Sequence, residues 1–301
     1  MDRHLPPGAA TALLNVRELA DWLRMKERKV YDLVARNAIP HTRVGAKILF
    51  APPAVERWLA LRANSSFART APATVAGSHD PLLDWAVRES RCGLALLTQG
   101  SRDGLERLLA GEASAALLHL PHADLTDFNR EAADESLRGR DVVLVEWARR
   151  QQGLLVTRGN PKKLRAVEHL ARRGVRVALR QPGSGSRELL ERLLDRANIK
   201  PGALHAAAET TSSESDLAAA IVTGRADAGL GARAVARLFN LDFIPLAEER
   251  LDLAVSRPRW FDPPLQALWR FARSRRFAAH AASLTGYDLD HAGEVTWNDQ
   301  A

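Results

Sequence analysis

The chain is poor in cysteine, methionine and tyrosine, and it has no long apolar run. Its 301 residues include one Cys, two Met and two Tyr. A single cysteine, Cys92, excludes an internal disulfide and any cysteine-based metal cluster, and it reads as a small buried apolar residue. No hydrophobic stretch approaches the ~20 residues that span a membrane. The opening MDRHLPPGAATALLNV has neither a long apolar stretch nor a cleavage pattern, so the expected location is cytoplasmic. The nine histidines show no metal-ligand spacing apart from His119 and His122, and Pro121 between those two argues for a turn. The run Gly183-Ser184-Gly185 lacks the Gly-x-Ser-x-Gly spacing of a nucleophile turn and the lysine of a phosphate-binding loop. Neither an enzyme nor a resident metal cofactor is therefore expected.

What is present points to two functions. Hydrophobic residues make up 46% of the chain, enough for a sizeable core, and the length allows two or three compact units. Residues 1–62 hold eleven Lys and Arg against six Asp and Glu, so +5 of the net +7 sits in one short segment. Concentrated positive charge suits a polyanionic partner, although a solvated basic surface reads the same way on charge alone.

In that segment Val16, Leu19, Ala20 and Leu23 recur on one helical face, with Asn15 and Glu18 at capping-box spacing. Val30, Leu33 and Val34 form a second apolar stripe, and Arg24-Met25-Lys26 leaves room only for a tight turn. Ile39-Pro40 ends the second helix, 41–50 alternates as a hairpin around Val44-Gly45-Ala46-Lys47, and Pro52-Pro53 opens a third helix. Leu13-Leu14, Glu18-Leu19-Ala20, Val30-Tyr31, Ile39-Pro40 and Val44-Gly45 together resemble the excisionase-type winged helix-turn-helix family. Two positions depart from the family pattern: Lys26 stands where a Ser-type cap is usual, and Asn37 where Gly closes the second helix. The resemblance implies that the second helix enters the major groove of a double-stranded operator. Lys26, Glu27, Arg28, Lys29 and Arg36 are then the candidates on that helix, and Arg43 and Lys47 those on the wing. Arg28 suits bidentate reading of guanine, while the lysines suit phosphates.

Residues 63–74 read as a linker, rich in small residues and without periodicity. Beyond them, short apolar runs at 73–76, 93–97, 115–119, 142–146, 153–156, 176–179, 226–230 and 241–245 predict strands. Between and after these runs, 81–89, 104–110, 163–172, 186–197, 214–223, 232–239 and 264–284 predict helices. Such alternation predicts an α/β unit with mostly parallel sheets, whose ligands sit beyond the carboxyl ends of strands. The junctions there carry hydroxyls and glycines: Ser78-His79-Asp80, Gly100-Ser101, Gly183-Ser184-Gly185-Ser186-Arg187 and Ser213-Glu214-Ser215. Serines at helix starts are by default caps; their coincidence with a glycine-rich loop also makes an anion cradle.

With Ser78-His79-Asp80, Gly159-Asn160-Pro161, Arg180 through Arg187, Gly224 through Gly229 and Gly286-Tyr287-Asp288, this half resembles the periplasmic-binding-protein superfamily, in the branch related to molybdate- and tungstate-binding proteins and to the binding-protein-like domain found beside molybdopterin-synthesis enzymes. The resemblance implies a two-lobed Venus-flytrap domain at 75–288, lobe one being 75–155 and 241–288, lobe two 156–240, with a tail at 289–301. Ser78, Ser101, Gly183, Ser184, Gly185, Ser186, Arg187, Ser213 and Ser215 are the ligand-site candidates it implies. Arg187 either meets the anion or staples the loop to a neighbouring carboxylate; Asp80 and His79 serve a cap or the site. The combined expectation is a dimeric transcription regulator sensing a small anion, molybdate or tungstate first. A small organic acid, an amino acid or a molybdopterin-like compound is the alternative effector, and a DNA-free oxyanion-delivery protein is the alternative class.

Overall fold

A computed structural model describes residues 13–62 and 73–299, so the expected linker falls almost wholly outside the described residues. The chain divides into two compact units, Met1–Thr70 and Ala71–Ala301. Among the described residues, no helix is long and apolar enough to cross a membrane.

The first unit begins with α1 (Val16–Trp22). Its capping box is formed: Asn15 Oδ1 accepts from the Glu18 amide at 3.0 Å, and Glu18 Oε2 from the Asn15 amide at 2.8 Å. After a turn through Arg24 at φ +51° comes α2 (Glu27–Ala35), whose N-cap Lys26 makes no side-chain cap bond. Asn37, at φ +50°, takes the left-handed conformation that closes the helix. Strands β1 (Thr42–Val44) and β2 (Lys47–Leu49) pair antiparallel around Gly45-Ala46, and α3 (Pro52–Arg62) follows. Val16, Leu19, Val30, Val34, Ile39, Phe50 and Val55 make the core beneath them.

In the second unit the elements run β3 (Thr74–Gly77), α4 (Pro81–Ser90), β4 (Ala95–Leu97), α5 (Ser101–Leu109), β5 (Ala115–Leu118), α6 (Arg130–Ser136) and β6 (Val142–Val156). Then come β7 (Arg176–Ala178), α7 (Gly185–Arg196), β8 (His205–Ala206), α8 (Glu214–Val222), β9 (Ala228–Ala232), α9 (Arg233–Leu238) and β10 (Asp242–Ser256). The last elements are α10 (Arg257–Trp260), α11 (Pro263–Ala272), α12 (Arg275–Leu284), β11 (Tyr287–Asp288) and β12 (Val295–Asn298). One sheet runs β4-β3-β5-β10-β6-β9-β7-β8, with β11 and β12 also on β6. The outer neighbours are parallel, but β6 and β10 are antiparallel to each other and to the strands beside them, so the sheet is mixed.

Two lobes follow from this layout. The first halves of β6 and last halves of β10 join β5, β3 and β4 over a core around Leu82, Trp147, Leu253, Leu268, Trp269 and Phe277. At the other end β6 and β10 join β9, β7 and β8 over Leu154, Val177, Leu189, Leu190 and Leu230. α11 and α12 thus complete lobe one.

Several elements differ from expectation. The runs expected as separate strands at 142–146 and 153–156 are parts of one strand, because the polar stretch Arg149-Arg150-Gln151-Gln152 between them stays extended and paired to β10. β10 likewise continues through Glu248-Glu249-Arg250, where no strand was expected. Expected lobe boundaries at 155/156 and 240/241 therefore fall at strand ends, whereas the chain changes lobes inside both strands. At 163–172 only a 3₁₀ turn, Val167–Ala171, forms: Asn160 and Lys163 take positive φ, and the Asn160 side chain bonds both the N–H and the C=O of Leu164. The helix expected at 264–284 is two, with Ser274 capping the second. Within the segment expected as a tail, 289–301, β12 pairs with β6.

Candidate functional site

In the first unit, Lys26, Glu27, Arg28 and Lys29 are exposed around the start of α2. Arg36 is exposed just beyond its end, and Arg43 and Lys47 on β1 and β2. None of the seven makes an ion pair among the described residues. Val30 and Val34 turn inward, so Arg28 lies on the opposite, solvent-facing side of α2. A cation left unpaired on an outward helix face suits phosphate or base contacts.

In the second unit the hydroxyl-bearing junctions meet where the lobes face each other. Gly77 ends β3 at φ +108°, and a Cβ there would stand 2.3 Å from the Leu117 carbonyl, so only glycine allows β3 to pass β5 this closely. Ser78 Oγ and Ser101 Oγ lie 2.7 Å apart, and Ser101 Oγ accepts from the His119 amide. One hydroxyl hydrogen of this pair remains to donate elsewhere. From lobe two, Ser184 caps α7, accepting from the Arg187 amide. Gly185 packs on the end of β5: a Cβ would stand 2.5 Å from the His119 carbonyl oxygen and 2.7 Å from its ring. The Gly183 carbonyl accepts from the Arg102 amide, Gln181 donates to the Gln99 carbonyl, and Arg102 and Glu188 form a bidentate pair across the rim. The lobes are thus in contact at the loops that carry the candidate serines.

Below these loops lies a cluster that sequence reasoning missed. Arg150, 1% exposed at the middle of β6, donates to Asp80 at 3.1 Å, to Glu214 at 3.0 Å and to Glu249. Asp80 is the N-cap of α4 in lobe one and also accepts from the Tyr287 hydroxyl. Glu214 opens α8 in lobe two and accepts from the Ser186 hydroxyl and the Ala232 amide. Glu249, on β10, meets His119 Nδ1 at 2.9 Å. Gln152, two residues along the same strand face, donates to Glu249 at 2.8 Å and Glu214 at 3.4 Å. Burial alone would raise the Glu214 carboxyl; the charges of Arg150 and Arg180 and the Ala232 amide outweigh it and hold the group at about 2.

Arg180 differs from Arg150. It is 6% exposed, donates only to the neutral Gln181 Oε1 and the Ser212 carbonyl, and forms no ion pair among the described residues. Burial pushes its guanidinium below the ordinary arginine value, against the field of Glu214. Arg187 staples the loop, bonding Glu191 at 2.6 Å and the Arg180 carbonyl. Ser186 is engaged by Glu214, Ser213 caps α8, and half-buried Ser215 lies in its first turn. Asp80 is both cap and cluster member.

These features define a helix-turn-helix unit followed by a two-lobed binding-protein fold. The chain belongs to the PBP superfamily, whose domain matches residues 85–273, and residues 13–62 match the helix-turn-helix domain. It is similar to the uncharacterized protein YvgK of Bacillus subtilis, at 25% identity over 303 residues, covering 95% of this chain and 98% of that protein. In fold the chain resembles a Clostridium perfringens protein described as a phosphate ABC transporter substrate-binding protein, solved with bound phosphate (TM-score 0.53, 12% identity, 74% of this chain and 99% of that one). It also resembles the tungstate ABC transporter of Geobacter sulfurreducens (TM-score 0.52, 14% identity, 70% and 97%). A helix-turn-helix joined to such a domain fits a ligand-responsive DNA-binding regulator.

Proposed function

We propose that this chain is a cytoplasmic, ligand-responsive transcription regulator, acting as a homodimer on an operator, whose second unit takes a small anion between its lobes. The observation that carries the ligand reading is Arg180, a buried guanidinium with no carboxylate partner among the described residues, at the head of the Gly-Ser loop. The first amides of α7 add donors that helix geometry leaves without carbonyl partners. Two ligand classes meet this donor set: a tetrahedral oxyanion, molybdate or tungstate among them, and a small organic acid, amino acid or molybdopterin-like compound. Ligand acts on DNA affinity only through unequal affinity for open and closed lobes.

Thermal unfolding against molybdate, tungstate, sulfate, phosphate and small carboxylates tests the ligand half. A ligand at ~100 times its dissociation constant adds about 2.7 kcal/mol of stability. The DNA half is tested by the salt dependence of binding to duplex DNA. Affinity that falls steeply with salt and keeps a sequence preference supports the regulator; its absence favours a DNA-free anion-delivery protein.

A further inference from the structure

We infer that the anion this cleft selects carries a hydrogen-bond donor of its own, matched by Gln152. The inference rests on the small-anion reading above and narrows the ligand within it. Gln152 is fully buried, and its Oε1 has no hydrogen-bond partner among the described residues. Its orientation is fixed: Nε2 faces Glu249 Oε1 and Glu214 Oε1, so a flipped amide would set its carbonyl oxygen against two carboxylates. Oε1 is therefore an acceptor with both lone pairs unmatched, a costly arrangement in a buried site.

Its position ties it to the candidate site. Glu214, one of its partners, opens α8 and takes the Ser186 hydroxyl; Glu249, the other, holds the His119 ring against which Gly185 packs. Gln152 thus lies under the first turns of α7 and α8 and the end of β5. The carboxylates there are spoken for. Both carboxyl oxygens of Glu214 accept bonds, from Arg150, Gln152 and Ser186 and from Ala232, and both of Glu249 meet partners, Arg150 and Gln152 on one side and His119 on the other. A second unmatched atom, His79 Nδ1, is buried beside Ser78 in the sequence and can serve either role. What remains to a ligand is a majority of donors, from Arg180, one serine hydroxyl and the α7 amides, and one obligatory acceptor. An anion with an O–H or N–H group satisfies both kinds; a bare dianion such as sulfate, molybdate or tungstate satisfies only the first.

Calorimetric titration of the full chain with matched pairs tests this: hydrogen phosphate against sulfate, and glycolate against acetate. Members of each pair are close in size and differ in the donor. The expected result is affinity higher by about tenfold or more for the donor-bearing member of the pair that binds, as follows when a buried hydrogen-bonding group is left unmatched. Whether phosphate or the hydroxy acid responds identifies the source of the donor. Equal affinity within a pair, or tighter binding of sulfate, molybdate or tungstate, overturns the inference and leaves the anion reading intact. Binding of none of these overturns the anion reading as well. Gln152→Met, which removes the acceptor, is expected to erase the preference within the pair. Because this variant also loses two bonds to carboxylates, the wild-type comparison stands without it.

Discussion

Arg150 shows how one side chain can hold a fold together and still be invisible in sequence. Its three carboxylate partners come from lobe one, lobe two and the opposite crossing strand. Arg150→Met leaves those carboxylates buried without their cation, and a cost of about 3–5 kcal/mol is expected for breaking such a cluster from one side. Denaturant unfolding of the second unit measures it; a loss under 1 kcal/mol would mean the carboxylates find other partners. In the first unit, Arg28→Ala is expected to cut specific operator affinity by about 1–3 kcal/mol and leave anion binding unchanged. Fluorescence anisotropy with operator and scrambled duplexes reads this, and an unchanged operator affinity would move the recognition surface away from α2. The serines were legible because hydroxyls beside glycines at strand ends form a local pattern. Arg150, Gln152 and Glu249 were not, because nothing local distinguishes a buried charge from a solvated one. Arg180 stood in the motif, but its lack of an ion-pair partner is a property of space, not of sequence.

Among the elements, those with local punctuation were readable. Asn15 with Glu18, Asn37, Gly45 and Pro52 mark the boundaries of the first unit's helices and hairpin, and each does so through its own backbone or capping chemistry. The two long strands were broken in expectation where they are most polar. A strand normally turns charge toward water, and here the charged middle faces the cluster, so the usual signal for a loop is the signature of the crossing. α7 depends on Gly185 for its approach to β5. Gly185→Ala improves intrinsic helix propensity, yet its Cβ would stand 2.5 Å from the His119 carbonyl oxygen. The expected outcome is anion affinity reduced by about tenfold or more with helix content kept. Calorimetry beside circular dichroism checks it, and unaltered affinity would show that lobe contact at His119 is not part of binding.

For the whole molecule, the division into two units and the placing of the loop followed from composition and motif spacing; the lobes' exchange of strands did not. The buried cluster also sets an acid limit. Glu214 is held at about 2 against an ordinary 4.5, and Glu249 is lowered as well, burial opposing and His119 and Arg150 prevailing. A depressed carboxyl contributes stability that is complete above its unfolded value and lost as pH falls through its folded value. The second unit's melting temperature is therefore expected to fall as pH drops from about 4.5 toward 2 and to gain nothing from this source above about 5. Melting curves across pH 2–8 check the sign, and a rise in stability on acidification in that window would contradict it.

The strands that carry the chain between lobes also impose an order on synthesis. Lobe two is one continuous stretch, whereas lobe one is assembled from segments on either side of it: Asp80 meets Arg150 across 70 residues and Tyr287 across 207. On the ribosome, β3, β4 and β5 emerge long before β10 and β12 exist to cover the edge of β5 and of β6. Lobe two, nested inside, has all its strands while its host still waits. Nascent lobe one thus presents open sheet edges to solvent until β10 and β12 are made, the state in which a mixed sheet is most exposed to wrong pairing and to chaperone capture.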